Sequence, residues 1–533
     1  MIRSIALKEF FNNLVSARFS IGFVLCLFLV PFILFVSIND YKSQLRIYEV
    51  EKQRAESRNE VRVYSAFRPD IVKPPEPLSI FSKGISYNVG NRVRILLGEK
   101  PLLSTGRNAA RENPHLNAFF TLDFISIIAI LISLLALLFT YDTCSEEREQ
   151  GTFKLLLSHS ISRYKILLGK VIGVTLTLLP ILVICYVLSI LIVLLYGNLS
   201  FTINDMLRIV LLFCLSTVFF LLFIALGLFI STRMRSSITS IIVCLFIWVS
   251  VVFIIPNLSV YAAQSFVKVR SQENLDSALG ELNTNFSEKR QEYRERITTP
   301  DIWFMHFNHN SGGDGFRELA GTAKKTYEFY RQLNVYSEPL RVDYADKKWP
   351  IQKAYLDELE NQQKLAEVLS LLSPSEVFRL AASSLSGTDV DAHYKFLNRT
   401  RIYREELIQF FKEEKIFDSF LYFTRVPPEK FKTADEIMQI STEGQFQTVD
   451  EYRTWAQNRS DIFSVFKVRL PEPETRSEYY SSLDLSNVPK FQFKPNNIMG
   501  DLKNSLTKIA ALIIVSILLF YLSFISFVKY DVR

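Results

Sequence analysis

The sequence predicts a polytopic α-helical membrane protein, with six transmembrane helices and a large, mainly helical extracytoplasmic domain. Of the 533 residues, 49% are hydrophobic and the mean hydropathy is +0.16, a more apolar balance than in most soluble globular proteins. Yet 22% of the residues are charged, so large regions must face water. The apolar residues form long runs, and the basic residues collect at the ends of these runs.

Six apolar runs are long enough to cross a hydrocarbon core, which takes roughly 20 helical residues. None of the six contains Asp, Glu, Lys or Arg. Pro31 and Pro180 lie inside the first and third runs, where a neighbouring helix must compensate for the lost backbone hydrogen bond. The predicted spans are Phe19–Ile38, Phe124–Tyr141, Ile172–Tyr196, Ile209–Ile230, Ile238–Ile255 and Ile509–Val528.

Basic residues predict the orientation of the chain, because Lys and Arg near span ends favour the cytoplasm. The eleven basic residues given at the end of this paragraph all fall on one side if both termini are cytoplasmic. Residues 39–123 and 256–507 would then lie outside, and the second region is large enough to be a domain with its own core. The basic residues concerned are Arg3, Lys8, Arg18, Lys154, Arg163, Lys165, Lys170, Arg233, Arg235, Lys529 and Arg533.

The region after the fifth predicted span has helical patterns. From Tyr355 to Leu372, apolar residues recur every three to four positions. Ser373 then offers an N-cap, Pro374 occupies the first helical position, and Glu376 is placed to complete a capping box. We expect this next helix to end near Ser386.

Three other segments outside the spans carry local signals. A further helix is expected over Asn398–Glu414. The glycine-rich stretch Ser311–Gly315 predicts a loop, since it lacks the Lys and the helix of a phosphate-binding motif. In the first outer region, the prolines of Lys73–Ile85 predict an extended, non-helical path.

Several chemistries are disfavoured by what the sequence lacks. His306 and His309 are close enough to share a metal, with His393 as a third candidate, but no HExxH motif or Cys partner accompanies them. We therefore predict no metal and no cofactor in this chain. No GxSxG motif occurs outside the spans, and no basic tract interleaved with aromatics suggests a nucleic-acid partner. The five cysteines lie in or beside the spans, so the outer regions should fold without disulfides.

The stretch SEEREQGTFKLLLSHSISRYKILLGK, Ser145–Lys170, separates the second and third predicted spans. Its acidic start suits a helix N-terminus, and Gly151 and Thr152 interrupt the helical pattern. A short helix here, with apolar and charged groups exposed, would serve as a docking element. A basic loop that only sets the topology satisfies the same charge rule, and the residues alone leave both interpretations open.

Resemblance favours the docking element. EEREQGTFKLLLSHSISRYKILLGKVIG resembles the cytoplasmic loop of permease subunits of ABC transporters of the type-2 export class. LKEFFNNLVSARF resembles the amphipathic elbow helix of the same family, and Ile2, Ile5, Ala6, Phe10 and Leu14 have one-sided spacing, with Lys8 elsewhere. This likeness covers residues 1–256 and the last span. KPPEPLSIF and LSPSEVFRLAASSLSGTD resemble a subgroup with enlarged extracytoplasmic domains.

The resemblance implies an assembly of two permease subunits, this chain with a second copy or a homologue, and two ATPase subunits on the cytoplasmic side. ATP and Mg²⁺ would bind the partner ATPase, because this chain has no GxxxxGK[ST] and is not itself expected to be an enzyme. Other implied partners are membrane lipid and a periplasmic partner, and the implied location is the bacterial inner membrane. The implied coupling residues are Glu146, Glu147, Glu149, Gly151 and Thr152, bordered by Arg163 and Lys170, with Lys8, Phe10 and Leu14 in the elbow helix.

Two rival classes compete with the permease interpretation. A transporter driven by an ion gradient would place ionisable groups within the bilayer, and the six predicted spans contain no acidic or basic residue. A membrane-anchored sensor or scaffold, or a force-transmitting complex that moves no cargo, stays open as an alternative. The sequence also leaves open the cargo and the choice between homodimer and heterodimer.

Overall fold

The computed structural model of the protein consists mainly of helices. It describes residues 2–85, 88–105, 122–151, 162–197, 201–298, 324–425, 427–433, 435–436, 439, 442–457, 482–493 and 497–528. We number its helices α1 (Ile2–Val15), α2 (Ala17–Asn59), α3 (Phe124–Leu138), α4 (Ser145–Glu149), α5 (Arg163–Gly197), α6 (Ile203–Arg233), α7 (Ser237–Val249), α8 (Ile255–Phe266), α9 (Gln272–Ile297), α10 (Lys324–Ser370), α11 (Pro374–Ser386), α12 (Val390–Glu413), α13 (Val449–Gln457) and α14 (Ile498–Val528). A π-helical turn, Ser250–Ile254, joins α7 to α8.

Within these residues, five helices are long and apolar enough to cross a membrane: α2, α5, α6, α7 continued through α8, and α14. The sixth predicted span corresponds to α3, which has only 15 residues. At 1.5 Å per residue α3 is about 22 Å long, shorter than a hydrocarbon core of roughly 30 Å. In contrast, α2 has 43 residues and continues well past the predicted end of its span at Ile38.

Side-chain caps fix where several of these helices begin. The Asp123 carboxylate accepts a hydrogen bond from the backbone N–H of Ser126 at 2.7 Å, at the start of α3. Thr202 and Asp205 form a reciprocal capping box at the start of α6. Such caps satisfy backbone donors that the first helical turn leaves without partners. They therefore fix the residue at which each of these helices begins.

Two segments from outside the predicted spans, around Phe81 and in α11, pack against the spans. Phe124 packs edge-to-face on Phe81, with ring centroids 5.4 Å apart. Phe378 of α11 stacks on Phe219, which lies in the middle of α6, at 4.3 Å. The apolar face of α11 belongs to the same core as the spans. The region 256–507 was expected to have a core of its own. Part of it, α11, instead packs into the core of the spans.

The start and end of α11 follow the sequence closely. Ser373 Oγ accepts a hydrogen bond from the backbone N–H of Glu376 at 3.1 Å, and α11 ends at Ser386. Gly387 follows in the left-handed conformation with φ of 69°, which favours glycine. The predicted capping box is different in one respect: the Glu376 carboxylate pairs with Arg379 at 3.3 Å.

Two neighbouring predictions need correction. The helix expected over Asn398–Glu414 begins earlier, at Val390, because Asp389 caps it by accepting a hydrogen bond from the backbone N–H of Ala392. The proline-rich stretch is not fully extended, since Pro77–Ile80 forms a 3₁₀ turn. Proline at the first position of a short helical turn loses no hydrogen bond, which explains the turn.

Beyond the spans, α9 and α10 form an antiparallel hairpin. The rings of Tyr293 and Tyr336 stack at 4.0 Å, and Arg270 binds Glu358 near the base of the hairpin. A two-stranded antiparallel sheet, β1 (Asp70–Val72) and β2 (Arg92–Arg94), shares a buried apolar cluster with α12. Outside the described residues lie Thr152, Lys154, His306, His309, Ser311–Gly315, Lys529 and Arg533.

Candidate functional site

The acidic stretch after α3 folds into the short helix α4, which is anchored to α6. The backbone N–H groups of Cys144 and Ser145 donate to Ser231 Oγ at 2.9 and 3.2 Å. Ser231 belongs to the last turns of α6 and is buried. This hydroxyl satisfies the donors at the start of α4, so α4 cannot move without disturbing α6. We call the end of the bundle that contains these contacts the α4 end, and the opposite end, where α11 lies, the α11 end.

A buried lysine joins three helices at the α4 end. Lys170 Nζ lies 2.9 Å from Glu147 Oε1 of α4 and 3.2 Å from Glu9 Oε1 of α1. The same ammonium donates to the carbonyl oxygen of Thr143 at 2.6 Å. Lys170 is 2% exposed, so these three acceptors replace its hydration. The cluster ties α1, α4 and α5 together through one side chain.

The other end of α4 contacts the connection between α6 and α7. Arg148 Nη1 donates to the carbonyl oxygen of Met234 at 3.1 Å. Glu149 Oε2 accepts a hydrogen bond from the backbone N–H of Ser237 at 3.0 Å, in the first turn of α7. A carboxylate at this position also complements the positive end of the helix dipole. Through these contacts, α4 is linked to α7 as well.

Arg163 and Arg18 make two further links at the same end. Arg163, at the start of α5, donates to the carbonyl oxygens of Phe527 and Val528, at the end of α14. Arg18, near the start of α2, pairs with Asp142, which precedes α4, at 2.5 Å. The short α4 therefore lies within a network that includes the ends of all the long apolar helices.

The predicted acidic residues of the loop divide into two groups. Glu147 contacts Lys170 inside the bundle, as described. Glu146 is exposed and accepts a hydrogen bond from Gln150 Nε2 at 2.9 Å. Gly151 is also exposed and adopts a φ of 74°, a conformation that favours glycine. The exposed Glu146 and Gly151 face solvent, whereas Glu147 faces the bundle.

Helix α1 packs closely on α5 through two glycines. A Cβ atom on Gly169 would lie 2.8 Å from Ile5 Cβ, and one on Gly173 would lie 2.6 Å from Glu9 Cβ. Such distances are too short for any side chain, so glycine is needed for the contact. The face of α1 that meets α5 therefore includes Ile2, Ile5 and Glu9, which are three to four positions apart.

The apolar residues predicted for one face of α1 differ in their exposure. Ala6 is buried and Phe10 is partly buried, as expected, but Leu14 is 38% exposed. Leu14 lies five positions from Glu9, or about 140° around the helix, so the two cannot share the face that meets α5. Leu14 belongs instead to a second, outward face. The exposed residues of α1 include Leu7, Lys8, Phe11 and Leu14.

Sequence reasoning missed Glu9, Arg148 and Ser231. A signal for Glu9 was present: it is an acidic residue at helical spacing from the apolar Ile2 and Ile5, and an acid on a packed face usually has a cationic partner. Ser231 gave no signal of its own, because a serine near the end of a span commonly bonds its own helix.

We predict that Gly169→Ala destabilises the protein by about 1–3 kcal/mol, because the added methyl group forces α1 away from α5. The measurement is thermal unfolding of the purified protein, together with hydrogen exchange of α1 amides, which should become faster. Gly280→Ala in α9 is the matched control, since no atom lies within 4 Å of its Cβ position. Helix propensity should make that control neutral or stabilising by up to about 1 kcal/mol. Equal behaviour of the two variants would contradict the packing role of Gly169.

Comparison with known proteins agrees with this architecture. The family model described as ABC-2 family transporter protein matches residues 3–532, nearly the whole chain. No curated protein matches the chain. Membership of this family implies ABC ATPase subunits as partners, and the apolar helices are those of a multi-pass membrane protein. The predicted resemblance to ABC-2 permeases is thus confirmed at the level of the family by a match over nearly the full length: the chain belongs to the ABC-2 transporter family.

Proposed function

We propose that this chain is the permease subunit of an ATP-driven exporter of the bacterial inner membrane, and that α4 with its exposed flank receives the ATPase. In this proposal both termini are cytoplasmic, α3 completes six spans, α1 is the elbow helix, and two permease subunits form the path. ATP and Mg²⁺ bind the ATPase. The observation that carries the proposal is the position of α4, which contacts α5, α6 and α7 and is linked to α1 through Lys170, while its outer side faces solvent.

The mechanism follows from these contacts. When the two ATPase subunits close on ATP, they push on α4 and the residues after it. The push reaches α1 and α5 through Lys170, and α7 through Glu149. Because α4 is fixed at both ends, it moves as a unit with the spans and changes their tilt. The ATPase must bind one tilt more tightly than the other, since equal affinity for both would shift nothing.

The test is co-purification from the native host in mild detergent, with mass spectrometry of what stays bound. We expect a Walker-motif ATPase with the wild type and about tenfold less with Glu149→Gln/Gly151→Ala, which corresponds to roughly 1.4 kcal/mol of lost binding. Glu281→Gln/Gly280→Ala is the matched control, because it makes the same two changes on the exposed surface of α9. Recovery of no ATPase with the wild type, or equal recovery with all three proteins, would refute the docking role.

A second candidate function is force transmission across the membrane without cargo. The observation that favours it is the stacking of Phe378 on Phe219, which couples α11 to the middle of α6. Any tilt of α6 would move α11 and the α9–α10 hairpin beyond it. In a reconstituted complex, ATP should change the distance between spin labels on α9 of the two copies under either function. Only an exporter would also accumulate cargo inside inverted vesicles.

A further inference from the structure

A cavity of about 90 Å³ lies at the α11 end, where α10, α11, α12 and α14 meet. This volume is several times the roughly 10–15 Å³ that one water molecule needs. Lys508, one of its lining residues, directly precedes the apolar run Ile509–Val528, so the cavity lies at the edge of the membrane-spanning region. The polar residues that line it and matter here are Glu360, Gln363, Glu367, Asp389, Asp391 and Lys508.

One buried acceptor in this cavity has no partner. Gln363 is 5% exposed, and its Nε2 donates to Glu367 Oε1 at 2.8 Å. The other amide atom, Gln363 Oε1, is buried and accepts no hydrogen bond from any residue that the structure describes. A buried acceptor without a donor costs about 1–3 kcal/mol. A donor that reached Gln363 Oε1 from the cavity would remove this cost.

The carboxylates of the cavity outnumber its cations. Lys364, which also lines the cavity, forms an ion pair through its Nζ with Glu360 Oε1 at 2.5 Å. Lys508 Nζ donates to Ser384 Oγ at 3.2 Å. Burial raises the pKa of Glu367, and the smaller effects of Asp391 and Asp389 act in the same direction, although the charge of Lys508 and the hydrogen bond from Gln363 oppose the rise.

Asp391 shows the same excess of negative charge. Burial and the neighbouring Asp389 raise its pKa, even though Lys508 and Lys395 act in the opposite direction. Its Oδ2 accepts a hydrogen bond from Asn504 Nδ2 at 3.0 Å. A positive charge placed among these groups would be favoured, because it would offset repulsion between carboxylates in a partly desolvated site.

We propose that this cavity binds a primary ammonium group. Such a group brings a positive charge and three N–H donors, which match the free Gln363 Oε1 and the carboxylates of Glu367 and Asp391. A quaternary ammonium offers no N–H donor. A metal ion fits less well, because no three His, Cys, Asp or Glu side chains in the described part of the chain are arranged to hold one.

The ammonium has two chemical sources at this location. It could belong to the ethanolamine headgroup of a lipid that enters from the bilayer beside α14, or to a free amine in solution. The site uses no residue of the α4 network. The proposal of an ammonium site can therefore be tested independently of ATPase docking.

The experiment has two arms, both with the purified full chain. In the first, ethanolamine is titrated into the protein in detergent and binding is followed by calorimetry. In the second, the protein is reconstituted into nanodiscs of equal phosphatidylethanolamine and phosphatidylcholine, and the lipids that stay bound on detergent extraction are identified by native mass spectrometry. Binding of free ethanolamine identifies a soluble amine site. Retention of phosphatidylethanolamine alone identifies a headgroup site, and either result supports the proposal.

Two variants and one control make the test specific. Glu367→Gln removes a charge and Gln363→Met removes the free acceptor, and each should weaken binding by about tenfold or more, as for loss of a charge-assisted hydrogen bond. Glu281→Gln, on the exposed surface of α9, should leave binding unchanged. Thermal unfolding checks that each variant is folded. No binding in either arm, or binding that both cavity variants leave intact, would overturn the proposal.

Discussion

Replacing Lys170 with Met should lower the free energy of unfolding by about 3–5 kcal/mol, because it leaves the Glu9 and Glu147 carboxylates facing each other in a buried site. The loss should also release the ATPase, since α4 then has no charged link to α1 or α5. Unfolding of the purified protein by denaturant, followed by helix content, measures the first effect. Co-purification measures the second.

A triple variant separates the charge from the packing. Lys170→Met with Glu9→Gln and Glu147→Gln removes all three charges while it keeps side chains of similar size. Uncharged groups in a buried site need no ion pair, so we expect most of the stability to return. ATPase recovery should stay low if the charged cluster transmits movement and not only stability. If the single variant is as stable as the wild type, the cluster is not the link that the distances suggest.

The spans and the coupling residues could be predicted from the sequence to different extents. Apolar runs located the long helices because hydrophobic length is a local property of the chain. Glu147 and Lys170 were singled out by resemblance, and the structure brings them to 2.9 Å. Glu9 completes the cluster from 161 positions away in the chain. No local pattern encodes that pairing, because it depends on the close approach of α1 to Gly169 and Gly173.

The position of α11 was not predictable in the same way. Its boundaries were foreseen from Ser373 and Gly387, because caps are local. Its burial among the spans was not, since a 13-residue helix with four serines is too short and too polar to suggest membrane depth. Its burial depends on contacts with residues distant in the chain, because its apolar face shares one core with the spans and Phe81.

The network at the α4 end has a counterpart at the α11 end. Arg208 of α6 pairs with Asp501 of α14 at 2.6 Å, and both side chains are nearly buried. The same guanidinium donates to the carbonyl oxygen of Leu385 near the end of α11 at 3.3 Å. At the α4 end, Ser526 Oγ of α14 donates to the carbonyl oxygen of Thr232 of α6 at 3.4 Å. Helices α6 and α14 are therefore linked near both ends, and α11 is attached to the pair. A tilt that begins at α4 would reach α11 through this second link.

Asp501→Asn tests the link at the α11 end. The substitution keeps the shape of the side chain but removes the charge that compensates the buried Arg208 guanidinium, so we expect a loss of about 3–5 kcal/mol in the free energy of unfolding. Asp205→Asn in the exposed cap of the same helix α6 is the matched control, and it should cost about 1 kcal/mol or less. Denaturant unfolding of both variants measures the difference.

The same variant distinguishes a stabilising pair from a transmitting one. ATPase recovery should be normal with Asp501→Asn, because the α4 end is unchanged. If the pair transmits movement, however, ATP should no longer alter the spin-label distance on α9 in the variant complex. A variant that is destabilised yet still shows the full ATP-dependent change would assign the pair to stability alone. A variant that folds as well as the wild type and loses the change would place transmission in the charge itself, since the packing of α11 on Phe219 would still be intact.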